Sequence, residues 1–474
     1  MPDRLSALDV SFFYTEDEIT PMHVGELLVF QAPEHGFDYD RLVTLIRRRI
    51  AFVPRYRQRV RWVPGKLANP VWVDDQDFDV AFHVRRSALP TPGSEAQLRD
   101  LVARIMSRPL DRTRPLWEVY LVEGLAGGRF AILTKTHHAM VDGTAAVDIG
   151  QVILDTSPDP RPTPELHWNP SKEPSGAELV AGAVVDTIRS PAVVVDAARK
   201  SVSNVQQTAT AMAKQAGGLV TALWSAARPP AESPLNVEIG SQRRFGTATL
   251  DLEDFKRIRR AHGGSINDVV LAVVTGALRS WLMTRQETVG VRHTIRAMVP
   301  VSVREATDRT PSNRVAAYLV DLPTGEPDPI MRLNRISFEM AQHKAGGGMV
   351  GAQNLVALTG FTPPTLHAMG ARLAGDLARR VANVVVTNVP GPQTPLYVAG
   401  AELVAAYPVL PLVKDMAVSI GLTSYNGGVF FGLNADRDAM DDIDVLTACI
   451  SEALDELLDT TRKARTRAKR VQSD

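Results

Sequence analysis

Only one cysteine, Cys449, occurs in 474 residues. A disulfide within the monomer is therefore impossible, and a zinc site built on cysteines is excluded. Net charge is missing as well: Lys and Arg together number 53, and so do Asp and Glu. That balance gives no global electrostatic reason to bind nucleic acid. No run of eighteen apolar residues is present, so no segment is expected to span a bilayer. The opening Met1-Pro2-Asp3-Arg4-Leu5-Ser6 lacks the basic-then-apolar build of a signal peptide, and a cytoplasmic location is expected. Neither a P-loop nor a Gly-x-Ser-x-Gly nucleophile elbow is found, which argues against an NTPase or an ordinary serine esterase.

What is there is ordinary globular composition, 45% hydrophobic and 22% charged. The length exceeds one ordinary core and predicts two domains. Residues 1 to 155 mix strand and helix signals, with strands expected at 24–30 and 130–136 and a helix at 39–50. Prolines at 158, 160, 162 and 164 then forbid a helix or a central strand and mark a linker. Residues 156–235 combine this linker with an Ala- and Val-rich helical connector. Leu179, Val180, Val184 and Ile188 give its first stretch an apolar face. That face either packs on both domains or rests on lipid; its polar side is not notably basic, which favours packing. A second α/β region, 236–474, has strands expected at 245–252, 294–303, 383–388, 416–423 and 429–434. Helices are expected at 266–285 and 441–458. Asn426-Gly427-Gly428 marks a hairpin between the last two strands.

The most informative stretch is Thr136-His137-His138-Ala139-Met140-Val141-Asp142-Gly143. An imidazole at the end of a buried strand is well placed to take a proton from an incoming alcohol. Adjacent side chains of a strand point to opposite faces, so one of the two histidines should be structural. This favours a single histidine base over a two-histidine metal site, and His138 is the candidate. Asp142 either polarises it or holds the turn, the latter preferred beside Gly143, whose backbone freedom suits a close approach.

Other motifs have plain readings beside functional ones. Pro115-Leu116-Trp117 precedes a strand and reads as an aromatic core anchor. Ser265-Ile266-Asn267-Asp268 opens the long helix, as a simple N-cap or as an amide and helix end aimed at an oxyanion. Asn388-Val389-Pro390-Gly391-Pro392 must be a rigid turn and could line a site. Gly346 to Gly351 has dinucleotide-loop spacing but follows a helical pattern, not a strand, and is rejected as such a loop. Arg47, Arg48, Arg49, Arg55, Arg57, Arg59 and Arg61 are either phosphate ligands or a solvated face. A basic tail at 462–470 is expected to be disordered and suited to an anionic lipid surface.

In order along the chain, Leu5-Ser6-Ala7-Leu8-Asp9, Thr20-Pro21-Met22-His23-Val24-Gly25, Pro115-Leu116-Trp117 and the His137-to-Gly143 motif are followed by three more. These are Asn267-Asp268-Val269-Val270-Leu271-Ala272, Met298-Val299-Pro300-Val301-Ser302-Val303-Arg304 and Asn388-Val389-Pro390-Gly391-Pro392. The ordered set resembles the bacterial wax ester synthase/diacylglycerol acyltransferase family, particularly its actinobacterial triacylglycerol synthases. The resemblance implies an α/β fold of two chloramphenicol-acetyltransferase-like domains with mixed sheets flanked by helices, joined by a helical connector. The site would lie in a channel between them.

It implies His138 as base, Asp142 and Asn267 as catalytic partners, and His137, Gly143 and Asp268 as supporting residues. Pro115, Leu116, Trp117, Asn388, Pro390 and Gly391 are candidate substrate-binding residues. The implied reaction is transfer from acyl-CoA to diacylglycerol, with fatty alcohols as further acceptors and no metal or cofactor. Peripheral contact with the inner membrane surface or lipid droplets follows from oily substrates. Another hydroxyl acceptor, a carrier-protein donor, or a non-catalytic lipid-binding role are the alternatives. One departure is Ser312-Asn313-Arg314, where many members place glycine before the asparagine.

Overall fold

The computed structural model describes residues 2–34, 36–141, 149–164, 168–189, 230–302, 315–346, 350–351 and 382–471. The chain begins with α1 (Ala7–Thr15), β1 (His23–Gln31), α2 (Tyr39–Ile50), β2 (Gln58–Arg61) and β3 (Val71–Asp74). Next come α3 (Val80–His83), β4 (Val84–Ala88), α4 (Glu95–Met106), β5 (Trp117–Leu125) and β6 (Arg129–His137). Three helices follow, α5 (His138–Val141), α6 (Ile149–Ile153) and α7 (Gly176–Arg189).

The later part holds β7 (Arg243–Asp251), α8 (Leu252–His262), α9 (Ile266–Thr284), β8 (Ile295–Ser302), β9 (Val315–Leu322) and α10 (Pro329–Gly346). It continues with β10 (Val350–Gly351), β11 (Val384–Pro390), β12 (Tyr397–Val398) and β13 (Ala401–Val409). It ends with β14 (Val418–Tyr425), β15 (Gly428–Asp436) and α11 (Ile443–Val471).

Two mixed sheets organise most of these elements, while β2 and β3 pair with each other in a separate antiparallel ribbon. The first runs β12-β13-β1-β6-β5-β4, and the second β10-β9-β8-β11-β14-β15-β7. In the first only β4 and β5 are parallel; in the second β11 is parallel to both β8 and β14. Serine capping boxes open α1, α4 and α9, with Asp9, Gln97 and Asp268 returning the bond. Each cap satisfies backbone N–H groups that the helix leaves unpaired, and its loss costs about 1 kcal/mol.

Strand β6 is buried along almost its whole length, because both faces of the first sheet are covered. On one face lie Leu98, Val102 and Met106 of α4, packed with Leu27, Val29, Leu133 and, from β7, Phe245. On the other face lie α1, α2, α6 and Trp117. Helix α4 is thus packed against both parts of the chain. At Gly25 on β1 a Cβ would sit 2.6 Å from the Thr134 carbonyl oxygen, so that position admits only glycine. Helix α9 has the length and apolarity to cross a membrane, yet it is a core helix packed among α10, α11 and the second sheet.

Three expectations need revision. Within the expected domain 236–474, β13 pairs with β1 and β12 pairs with β13, so both strands belong to the first sheet. No strand is expected at these positions from the sequence, and local pattern does not say which sheet a strand joins. The terminal helix does not stop at 458: its backbone continues through Val471, so the basic tail is helical rather than disordered. The arginine cluster does not form one face: Arg47 and Arg48 are exposed, while others of the set are engaged within the protein. Arg49 is buried on the carbonyls of Val152 and Ile153 and pairs with Asp155 at 2.6 Å. Arg57 stacks over Trp168, and Arg59 and Arg61 share Glu173. In the connector, Leu179 and Ala183 are buried while Val184 is exposed, Leu179 packing on Val63, Val71 and Val73. Its remainder, 190–228, and Ser312-Asn313-Arg314 lie outside the described residues.

Candidate active site

The histidine pair straddles the junction of β6 and α5, which separates its two rings. His137 donates its backbone N–H to Leu116 O at 3.0 Å. Its Nδ1 accepts the Ala139 N–H at 3.1 Å, so the ring proton sits on Nε2, 3.3 Å from Glu16 Oε2. The ring stacks on Phe13 with centroids 4.4 Å apart and is almost fully buried. Burial holds its pKa below the ordinary histidine value, against the opposing pull of Glu16. His137 is therefore a neutral, single-tautomer, structural imidazole.

His138 is placed differently. Its backbone N–H donates to Met22 O at 2.9 Å, and its ring stacks on Phe12 with centroids 4.9 Å apart and planes 17° off parallel. It remains partly exposed. Consecutive phenylalanines of α1 thus hold consecutive histidines, one fully buried and one partly exposed. Asp142 and Gly143 lie outside the described residues.

Glu16 was not picked out in the sequence, yet it organises this corner. Its buried carboxylate pairs with Arg112, receives the His137 Nε2–H and accepts the Met22 N–H at 3.2 Å. Burial pushes its pKa up, but His137 and Arg112 outweigh that and hold the carboxyl below the ordinary range. Since Met22 O holds His138, Glu16 fixes both histidines, one directly and one through a single residue. No local spacing signals this, because 121 positions separate Glu16 from His137.

Leu116 and Trp117 lie in the core behind this pair. The Trp117 ring is fully buried, donates Nε1–H to Tyr56 O at 2.8 Å and stacks on His83 at 4.6 Å. Pro115 is buried beside them. Their visible part is to seat β5 and, through Leu116 O, the His137 backbone. Lys135, two residues before His137, is also buried. Its ammonium binds Ile105 O at 3.1 Å and Arg108 O, closing the C-terminal end of α4. Burial pushes its pKa down to about 8 despite Glu118 at 3.8 Å.

In the second sheet the structure joins two of the expected residues. Ser265 is the N-cap of α9 and Asp268 completes the capping box, bonding Ser265 N at 2.8 Å. Asn267 stands between them, half-buried, and its Oδ1 accepts the Asn388 Nδ2–H at 3.3 Å. With its oxygen so engaged, the Asn267 NH₂ is the end that can meet an oxyanion. Pro390 ends β11, and Gly391 donates its N–H to Ser424 O at 2.9 Å. A Cβ at 391 would come within 2.6 Å of that oxygen. A rigid turn accounts for both. Among the described residues, no three His, Cys, Asp or Glu side chains group to hold a metal ion.

Known proteins match the chain at the level of family, sequence and fold. The family model for the wax ester synthase/diacylglycerol acyltransferase catalytic domain matches residues 5–270, and that for the WS/DGAT C-terminal domain matches 312–458. The probable diacylglycerol O-acyltransferase tgs1 of Mycobacterium tuberculosis is 33% identical over 472 residues, covering 99% of this chain and 98% of that protein. The wax ester synthase/diacylglycerol acyltransferase from Marinobacter aquaeolei VT8 superposes with a TM-score of 0.70 at 29% identity, covering 97% and 99% of the two chains. The first condensation domain of the CDA synthetase shares the fold, with a TM-score of 0.55, 14% identity and 97% coverage of each chain.

Proposed function

The chain belongs to the wax ester synthase/diacylglycerol acyltransferase family, an acyltransferase family, and we propose that it makes triacylglycerol from long-chain acyl-CoA and diacylglycerol, with His138 as the general base. The observation that supports this most is the division of labour in the histidine pair. His137 is fully buried with Nδ1 bonded to Ala139 and Nε2 to Glu16, while His138 stays partly exposed as a residue, its ring stacked on Phe12 with Nδ1 turned inward.

In this reading His138 accepts the proton of the acceptor hydroxyl as its oxygen attacks the thioester carbonyl carbon. The Asn267 NH₂ stabilises the tetrahedral oxyanion. Collapse breaks the carbon–sulfur bond, and the histidinium returns the proton to the CoA thiolate. No acyl-enzyme forms and no cofactor is needed; acyl-CoA is a substrate. General-base assistance is worth roughly 10²–10⁴ in rate, or about 3–5 kcal/mol of barrier. Fatty alcohols would enter as alternative acceptors and yield wax esters. A peripheral position on the inner membrane surface or lipid droplets, from the cytoplasmic side, fits a reaction between oily molecules.

The test is thiol release from palmitoyl-CoA with dioleoylglycerol, with hexadecanol and without acceptor, the lipid products being resolved alongside. Acceptor-dependent release matched by triacylglycerol is expected. Release without acceptor would mean a thioesterase, and no release with any acceptor would contradict acyl-CoA as donor.

A further inference from the structure

Arg243, the first residue of β7, is buried where the second sheet meets the segment between α1 and β1. Its guanidinium donates through one nitrogen to the carbonyls of Gly240 at 2.6 Å and Gln242 at 3.0 Å, on its own side of the seam. Through the other nitrogen it donates to Ile19 O, on the histidine side. Its backbone N–H donates to Ser107 Oγ at 3.0 Å, just past α4.

The segment it grips is rigid. Asp17 Oδ1 accepts the N–H groups of Ile19 at 2.9 Å and Thr20 at 2.6 Å, and the Thr20 hydroxyl at 2.8 Å. Three residues after Ile19, Met22 takes the Glu16 carboxylate on its N–H and the His138 N–H on its carbonyl. Upstream the same segment continues from α1, whose Phe12 stacks on His138. The Phe12 stack on the His138 ring and the Met22 bond to the His138 backbone therefore flank the stretch that Arg243 holds. Beside this grip the loop borders a cavity of about 450 Å³ lined by Asp17, Ile19, Thr20, Asn236, Lys414 and Asp415 among others, so packing does not fill the seam there.

We propose that Arg243 is a positioning residue for the acyl transfer, setting the His138 ring from across the seam through Ile19 and Met22. The proposal rests on His138 being the base. It also ties the base to the sheet on which α9, with Asn267, is packed. The arginine touches no reacting atom. Its contribution is to hold the imidazole in the geometry for proton transfer, where a displacement of about 1 Å costs up to about 100-fold in rate.

The test is a double-mutant cycle on the full-length chain with palmitoyl-CoA and dioleoylglycerol, folding being followed by near-UV circular dichroism. Arg243→Gln is expected to lower kcat by about 10–100-fold with little change in KM for palmitoyl-CoA. In a His138→Ala background the same substitution is expected to change the residual rate little, because the group it positions is gone. Arg243→Lys, which keeps the charge and a donor, is expected to recover part of the rate. It carries the same cycle if Arg243→Gln does not fold. An equal fall in both backgrounds would mean general structural damage and overturn the proposal, as would wild-type kcat in the single variant. A wild-type rate for His138→Ala alone would instead remove the base assignment beneath it.

Discussion

Replacing Glu16 by Gln keeps the shape of the side chain and removes one charge and one acceptor. In the native protein Oε1 faces the Met22 N–H, while Oε2 faces both Arg112 and His137. A carboxamide has only one oxygen. Whichever way it turns, its NH₂ group opposes an N–H donor, so at least one buried bond is lost and its donor stranded. A hydrogen bond to a charged group is worth about 1.5–3 kcal/mol, and a stranded buried donor costs about 1–3 kcal/mol. Arg112 is half exposed and can be rehydrated, which limits the damage from the broken ion pair. A destabilisation of about 2–4 kcal/mol is expected at pH 7.

The pH dependence has a definite sign. The folded-state pKa of Glu16 is below its ordinary value of 4.5, so its stabilisation is complete above that value. It fades as pH falls through the lowered one. Glu16→Gln should be less stable than wild type at pH 7, and the gap should narrow on acidification. Urea unfolding at pH 7 and at stepwise lower pH measures this, beside kcat at pH 7, which should fall by about 10-fold or more as Met22 and His138 shift. Equal stability at pH 7, or a gap that widens in acid, would refute the reasoning.

Asn267→Ala should lower kcat by about 10²–10³, the usual loss of an oxyanion donor, and change KM for palmitoyl-CoA far less; steady-state kinetics decide it. Trp117→Ala should destabilise the protein by about 3–5 kcal/mol, as expected for a fully buried ring, read as a loss of denaturant midpoint. For Lys135 the unfolded chain keeps the proton to its ordinary value of 10.5, whereas the folded protein releases it near 8. Stability contributed by this group should therefore rise with pH between those values, by about 3 kcal/mol in all. Lys135→Met should lose that rise when unfolding is compared at pH 7.5 and 10.

Strongly patterned elements were legible in the sequence. The helix at Tyr39–Ile50 has the expected bounds, and the buried strand before His137 and the long helix after Ser265 differ by a residue or so at their ends. Ser265 is the N-cap that its position suggested. Partnerships across the chain were not legible. Nothing around Arg49 shows that two carbonyls and Asp155 wait for it, so its charge read as surface. Nothing in the local sequence marks Glu16, whose partner His137 lies 121 positions away. Strand 401–409 joined the first sheet on the edge of β1, and 397–398 added onto 401–402, a fact of assembly rather than of local pattern.

In the proposed reaction His138, and not His137, is the base. The most direct test of this is the single-turnover rate of acyl transfer from palmitoyl-CoA to dioleoylglycerol by His138→Ala, in protein whose circular dichroism and denaturant midpoint match wild type. A rate lower by about 10²–10⁴ is expected. A folded variant transferring acyl groups at close to the wild-type rate would contradict it.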